Sequence, residues 1–160
     1  MELFSDKCKV INYYPPVADA WNGNPQADIV HLENYKKCTF IVLTGAAADN
    51  INAITAQAGV SVSSCATEIA FKYRKVVSGD TYGTLTDAVA GTGVSFTAST
   101  ANQYVIVEID AQVVAAAGTG FDCCAVTVTE AGTATAQLGC IVCILSEPRY
   151  PQDGLVTGIV

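Results

Sequence analysis

Charge, histidine and long apolar runs are all scarce in this chain. Only 14% of its 160 residues are charged, eight basic against fifteen acidic, giving a net charge of −7 and a pI near 4.4. A nucleic-acid binder gains affinity by neutralising phosphates with clustered Lys and Arg, and here the basic residues are few and scattered. Nucleic acid is therefore not an expected partner. His31 is the single histidine, so any Ser-His-acid triad would have to run through it. Its surroundings, Val30-His31-Leu32-Glu33-Asn34-Tyr35, hold no nucleophile elbow, and Gly-x-Ser-x-Gly occurs nowhere. His31 reads as a solvated or hydrogen-bonded side chain at a strand or loop edge. Phosphate-cradling Gly-x-x-x-x-Gly-Lys and Gly-x-Gly-x-x-Gly are absent. Asp80 and Asp87 lack the alternating ligands of a calcium loop. Glu68, Glu108 and Glu130 could pair only if the fold brought them together, and Glu68 and Glu130 fall on solvent-facing positions. No catalytic residue, no cofactor site and no metal ligand set is assigned, and an enzyme is not expected.

The longest apolar stretches, such as Leu138 to Leu145, fall far short of the ~20 residues of a membrane-spanning helix. Met1 to Val10 contains no apolar segment long enough for a signal peptide. No membrane association is expected. With 51% hydrophobic residues and mean hydropathy of +0.35, the composition suits a soluble, single-domain protein made in the cytosol. A chain of this size buries roughly 70% of its unfolded surface and needs no staple.

Seven cysteines are present: Cys8, Cys38, Cys65, Cys123, Cys124, Cys140 and Cys143. An odd number without an export signal points to a reducing compartment and free thiols packed as small hydrophobes. Cys140-Ile-Val-Cys143 has zinc-like spacing, but a structural site needs a second pair or histidines. Cys123 and Cys124 are adjacent and project to opposite faces of a strand, as do Cys140 and Cys143. The cysteines read as structural.

Period two dominates what is there. In Glu68 to Arg74, Ile69, Phe71 and Tyr73 point one way while Glu68, Lys72 and Arg74 point the other. Cys124, Val126 and Val128 alternate with Ala125, Thr127 and Thr129, and Val60 and Val62 with Ser61 and Ser63. Thr39 to Leu43, Tyr104 to Ile109 and Leu138 to Leu145 are apolar on both faces and read as central strands, or as strands with a second covered surface. Turns fall at Ser78-Gly79-Asp80, Gly91-Thr92-Gly93, Gly118-Thr119-Gly120 and Ala131-Gly132-Thr133. Asp110 to Ala117 predicts a short helix ending at Gly118, and Ala46 to Ala58 a loop feeding a strand. The expected fold is all-β, an antiparallel β-sandwich or barrel-like domain with at most two short helices.

Residues 1–29 and 148–160 differ from the β domain predicted for 30–147. Asn12 to Pro25 holds three of the five prolines and the only tryptophan. Proline cannot donate to a strand ladder, so this reads as an extended N-terminal arm, and residues 148–160 as an extended tail. Their aromatics need covering, either by their own domain or by neighbouring subunits. The candidate interface residues are Tyr13, Tyr14, Trp21, Arg149 and Tyr150.

Four segments carry a resemblance: Glu33 to Val42, Thr67 to Arg74, Asn102 to Asp110, and Ile144 to Pro151, the last including Leu-Ser-x-Pro-Arg-Tyr. Together they resemble a group of small virion proteins of tailed bacteriophages, over roughly Val30 to Pro151. The resemblance implies a non-enzymatic capsid decoration (cement) protein on the capsid exterior. Its partners would be the major capsid protein and itself, as a homotrimer, after synthesis in the bacterial cytoplasm. The family offers no catalytic residues to carry over, and it does not explain the Pro-rich arm or the cysteine count. Two alternatives stay open: a carbohydrate-binding module for host attachment, displaying Tyr13, Tyr14, Trp21 and Tyr82, or another virion component such as a tail-tube or connector protein.

Overall fold

Alternating apolar residues sort this chain into two facing antiparallel sheets. The computed structural model describes residues 3–26, 28–45, 51–76, 81–96, 103–130, 137–150, 155–156 and 158–159. In chain order the elements are α1 (Phe4–Lys7), β1 (Lys9–Val17), β2 (Val30–His31), β3 (Tyr35–Thr44), β4 (Ile51–Gly59), β5 (Thr67–Ile69) and β6 (Phe71–Val76). They continue as β7 (Thr86–Ala88), β8 (Val94–Phe96), β9 (Gln103–Asp110), α2 (Ala111–Ala117), β10 (Cys123–Glu130) and β11 (Gly139–Pro148). The first sheet has six strands in the order β1-β11-β3-β9-β6-β7; the second has five, ordered β2-β10-β4-β5, with β8 also paired to β4. The class is all-β, and the pair of sheets is a sandwich, not a closed barrel.

The three segments apolar on both faces, within β3, β9 and β11, are neighbours at the centre of the first sheet. Their inward residues, among them Phe40, Val42, Val107, Ile141 and Cys143, pack on Cys124, Val126, Val128, Ile54 and Ala56 of the second sheet. Both layers contribute aliphatic and thiol side chains to one continuous buried cluster. Tyr13 meets Phe40 edge to face at 4.8 Å between ring centroids. Helix α2 closes one end through Ala111 and Val114. The helix predicted for Asp110 to Ala117 begins one residue later, because Asp110 caps it, accepting from the Gln112 N–H at 2.8 Å.

Several expectations are corrected. The Glu68 to Arg74 run is not one strand: β5 pairs with β4 in the second sheet, and β6 pairs with β9 in the first. Ala70 is the corner where the chain changes sheets, and Ile69 and Phe71 stay buried on either side of it. Val60 to Ser63 is a turn with an isolated Ser61–Ser64 bridge, not a strand. Gly59 presses so closely on the Ser64 carbonyl that the chain folds back at once.

The segment read as an arm contributes the edge strand β1, paired to β11 from Lys9↔Leu145 to Val17↔Gly139. Register shifts between Asn12 and Tyr14 and between Tyr14 and Val17 leave Pro15 and Pro16 exposed on the open side of the sheet. An edge strand tolerates proline because one side of its ladder is unpaired. In the tail, Leu155 and Ile159 pack against the core. The turns at 78–80 and 131–133, the 46–50 part of the predicted loop and residues 151–154 of the tail lie outside the described residues. Both glycines of Gly91-Thr92-Gly93 have positive φ, as a tight turn there requires.

Candidate functional site

The outward side chains of the first sheet line up in register. Asn12, Val142, Ile41, Ile106 and Arg74 form one cross-strand row; Val10, Ile144, Thr39, Glu108, Lys72 and Asp87 form the next. A third row runs Cys140, Leu43 and Tyr104. The centre of this face is apolar, yet its residues are only half-buried, with Leu43 37% and Val10 52% exposed. No segment among the described residues lies over it. At its charged end a cleft of about 390 Å³ opens between Thr39, Phe71, Ile109 and Val113, rimmed by Lys72 and Asp87. Its lysines are partnered: Lys37 with Glu147 at 2.6 Å, which raises the Lys37 pKa, and Lys72 with Asp87 at 2.5 Å.

The second sheet differs. Its outward residues Cys123 and Ala125 are fully buried under Ile29, Val62 and Cys65. Beside them Gln57 accepts from Gln26 at 3.3 Å and from Thr127 at 3.0 Å, while Gln26 also donates to the Cys65 carbonyl at 3.2 Å. The segments before β2 and after β4 fold back as a cover.

The five predicted interface residues separate. Tyr13 is 3% and Trp21 0% exposed, both within the chain's own core. The Tyr13 hydroxyl donates to the Asp28 carbonyl and accepts from the Val126 N–H at 3.1 Å, bridging the sheets; burial pushes its pKa up. Tyr14 stacks on Trp21 at 6.0 Å and donates to the Ala20 carbonyl at 2.9 Å. Arg149 is exposed and donates from Nε to the Tyr35 carbonyl at 3.2 Å, and Tyr150 is 64% exposed. Only Arg149 and Tyr150 present appreciable surface.

All seven cysteines are free thiols. Cys38 and Cys143 lie 3.3 Å apart between the sheets, and burial pushes the Cys38 thiol well up, so both behave as core hydrophobes. The predicted opposite projection of Cys123 and Cys124 holds: Cys124 enters the main core and Cys123 the small outer cluster.

Cys123 stands directly opposite His31 in the β10–β2 pair. His31 Nε2 lies 3.0 Å from Asp122 Oδ2, and the Cys123 thiol donates to Asp122 Oδ1 at 3.2 Å. Imidazole, carboxylate and thiol donors converge within 4.8 Å of one another. Burial and the Asp122 carboxylate push the Cys123 thiol up to about 12. The sequence reading assigned no metal ligands. His31 sits at a strand edge with no ligand-like spacing around it, and this grouping joins residues 91 apart through strand register.

Neither a protein-family profile nor a curated protein matches the chain. Among solved structures, it is similar to the crystal structure of the SPBc2 prophage-derived protein YomS, at 9% identity and a TM-score of 0.46. The superposition covers 88% of this chain and 93% of that one. No residue role is transferred across it. No helix among the described residues is long and apolar enough to cross a membrane.

Proposed function

We propose that the chain is a non-enzymatic structural protein of a tailed-phage virion, a decoration protein that docks on the outside of the head and bridges its shell subunits as a trimer. The observation that carries this reading is the uncovered outer face of the first sheet. A cement protein works by contact area, and Ile41, Val142, Ile144 and Ile106 supply an apolar centre bordered by Arg74, Lys72 and Glu108. An apolar centre inside a polar rim is the usual anatomy of a protein–protein interface. The four segments resembling virion proteins support the same reading, and a net charge of −7 suits a position away from packaged DNA.

The major capsid protein is the proposed partner, and the virion exterior the proposed location. The glycan-binding alternative loses two of its display aromatics, because Tyr13 and Trp21 are in the core. Purified protein mixed with empty shells should co-sediment and add density at three-fold positions by electron microscopy. Ile41→Lys should abolish co-sedimentation while leaving the circular dichroism spectrum unchanged. Density on the tail, or retention on a glycan column without shell binding, would replace the proposal with the corresponding alternative.

A further inference from the structure

We infer that His31, Asp122 and Cys123 form a binding site for a zinc-class divalent cation, through His31 Nε2, one Asp122 carboxylate oxygen and the Cys123 thiolate. The inference is independent of the decoration reading. The donor types come first. Zinc takes thiolate, imidazole and carboxylate together, at bonds of about 2.0–2.3 Å, which set tetrahedral donor atoms roughly 3.3–3.8 Å apart. Here Nε2 and Oδ2 are 3.0 Å apart and all three donors fall within 4.8 Å, so side-chain shifts of about 1 Å bring them to that spacing.

The main chain holds the donors in place before any ion arrives. His31 N–H donates to the Gly158 carbonyl at 2.7 Å, Leu32 N–H to the Asp122 carbonyl at 2.7 Å, and Asp122 N–H to the Gly59 carbonyl at 3.2 Å. These bonds fix the backbone of His31 and Asp122, and Cys123 is held by strand pairing with His31 on one side and Gly59 on the other, the preorganisation a binding site needs.

Behind the ligands stands a further group. Glu33 Oε2 lies 3.7 Å from His31 Nδ1. That distance makes Glu33 a nearby charge rather than a hydrogen-bond partner; a metal-bound histidine characteristically gives its second ring N–H to such a carboxylate, and closing the gap on binding would leave Nε2 free to coordinate.

Access and enclosure also fit. The His31 and Asp122 side chains are 30% and 41% exposed, giving an ion an entry path. Cys123 lies beneath them against Ile29 and Cys65, an apolar floor that excludes water from one side. Three protein ligands leave a fourth position facing solvent, open to water or to a group on a partner. On binding, the Cys123 S–H bond breaks, a metal–sulfur bond forms, and the proton passes to solvent; no electron is transferred.

The test is cobalt(II) titration of the reduced, chelator-stripped full chain. One equivalent should produce the thiolate-to-cobalt charge-transfer band with tetrahedral ligand-field bands, and zinc should displace it. Cys123→Ala should abolish the charge-transfer band, His31→Gln and Asp122→Asn should each weaken binding at least tenfold, and Glu33→Gln should weaken it roughly tenfold. Cys65→Ala should leave the band intact. Zinc should raise the thermal midpoint of the parent chain but not of His31→Gln, a half-exposed change that preserves the fold. A folded parent chain with no charge-transfer band, or a band that survives Cys123→Ala or vanishes with Cys65→Ala, would overturn the assignment.

Discussion

The two sheets offer outer faces of similar apolar character and opposite fate. On the second sheet, Cys123 and Ala125 are sealed by Ile29, Val62 and Cys65, and Gln57 accepts from Gln26 and Thr127 while its amide donates to the Thr55 hydroxyl. On the first, Ile41, Val142 and Ile106 stand in one row with nothing over them among the described residues. Alternation along a strand records that a surface will be buried. It does not record by what. The connections before β2 and after β4 decide the matter, by folding back over the outer face of the second sheet.

Charging each face in turn should break this comparison most visibly. Ala125→Lys places an uncompensated charge beneath the cover and should cost about 3–5 kcal/mol, enough to unfold most of the chain, as read by urea denaturation. Beside the edge strand of the first sheet, Gly139 of β11 packs closely against the Trp21 ring and Ala20. A methyl there overlaps the ring, so Gly139→Ala should cost about 1–3 kcal/mol in the same measurement. Ile41→Lys, on the open face, should cost only about 1 kcal/mol. Under the proposed function its larger effect is on shell binding, and an equal loss of stability at Ile41 and Ala125 would erase the distinction.

How far the sequence carries this picture depends on the range over which each signal acts. The central strands were legible in Thr39 to Leu43, Tyr104 to Ile109 and Leu138 to Leu145, because burial on both faces leaves no polar alternation to disguise. The helix at 111–117 was legible from Asp110 and Gly118. The corner at Ala70 was not, because inward and outward positions alternate through it without a break even though the partner sheet changes. Pro15 and Pro16 pointed to an arm, and only pairing with β11 shows that their ladder side is the free edge. The cluster of His31, Asp122 and Cys123 carries no local spacing at all. Register alone assembles it.

Thiol chemistry sharpens the comparison with a smaller effect. Cys140 lies half-buried on the open face, whereas Cys123 is sealed on the covered one. A native thiol titration should modify Cys8 and Cys140 promptly and the five buried cysteines only on unfolding, when the total reaches seven. Prompt reaction of Cys123 would mean that the cover opens readily.

The smallest effect is alkaline. Burial raises the Cys65 and Cys123 thiols from 9.0 to about 12 in the folded chain. A raised folded pKa contributes fully below the unfolded value and is lost as pH climbs through the folded one. Stability should therefore decline from about pH 9 toward 12, with a shallower decline in Cys123→Ala, as followed by denaturation midpoints across that range.

The insertion of β11 between β1 and β3 sets an order in time. β11 is the last of the described strands to leave the ribosome, yet it supplies the only link between the first sheet's N-terminal edge and its centre. Until Gly139 to Pro148 emerge, β3 offers a bare edge with Ile41 unframed, a template for wrong pairings. The row through Val142, Ile41 and Ile106 cannot exist on a nascent chain. The outer face of the first sheet therefore becomes continuous only with the last of the described strands, however early its other strands are made.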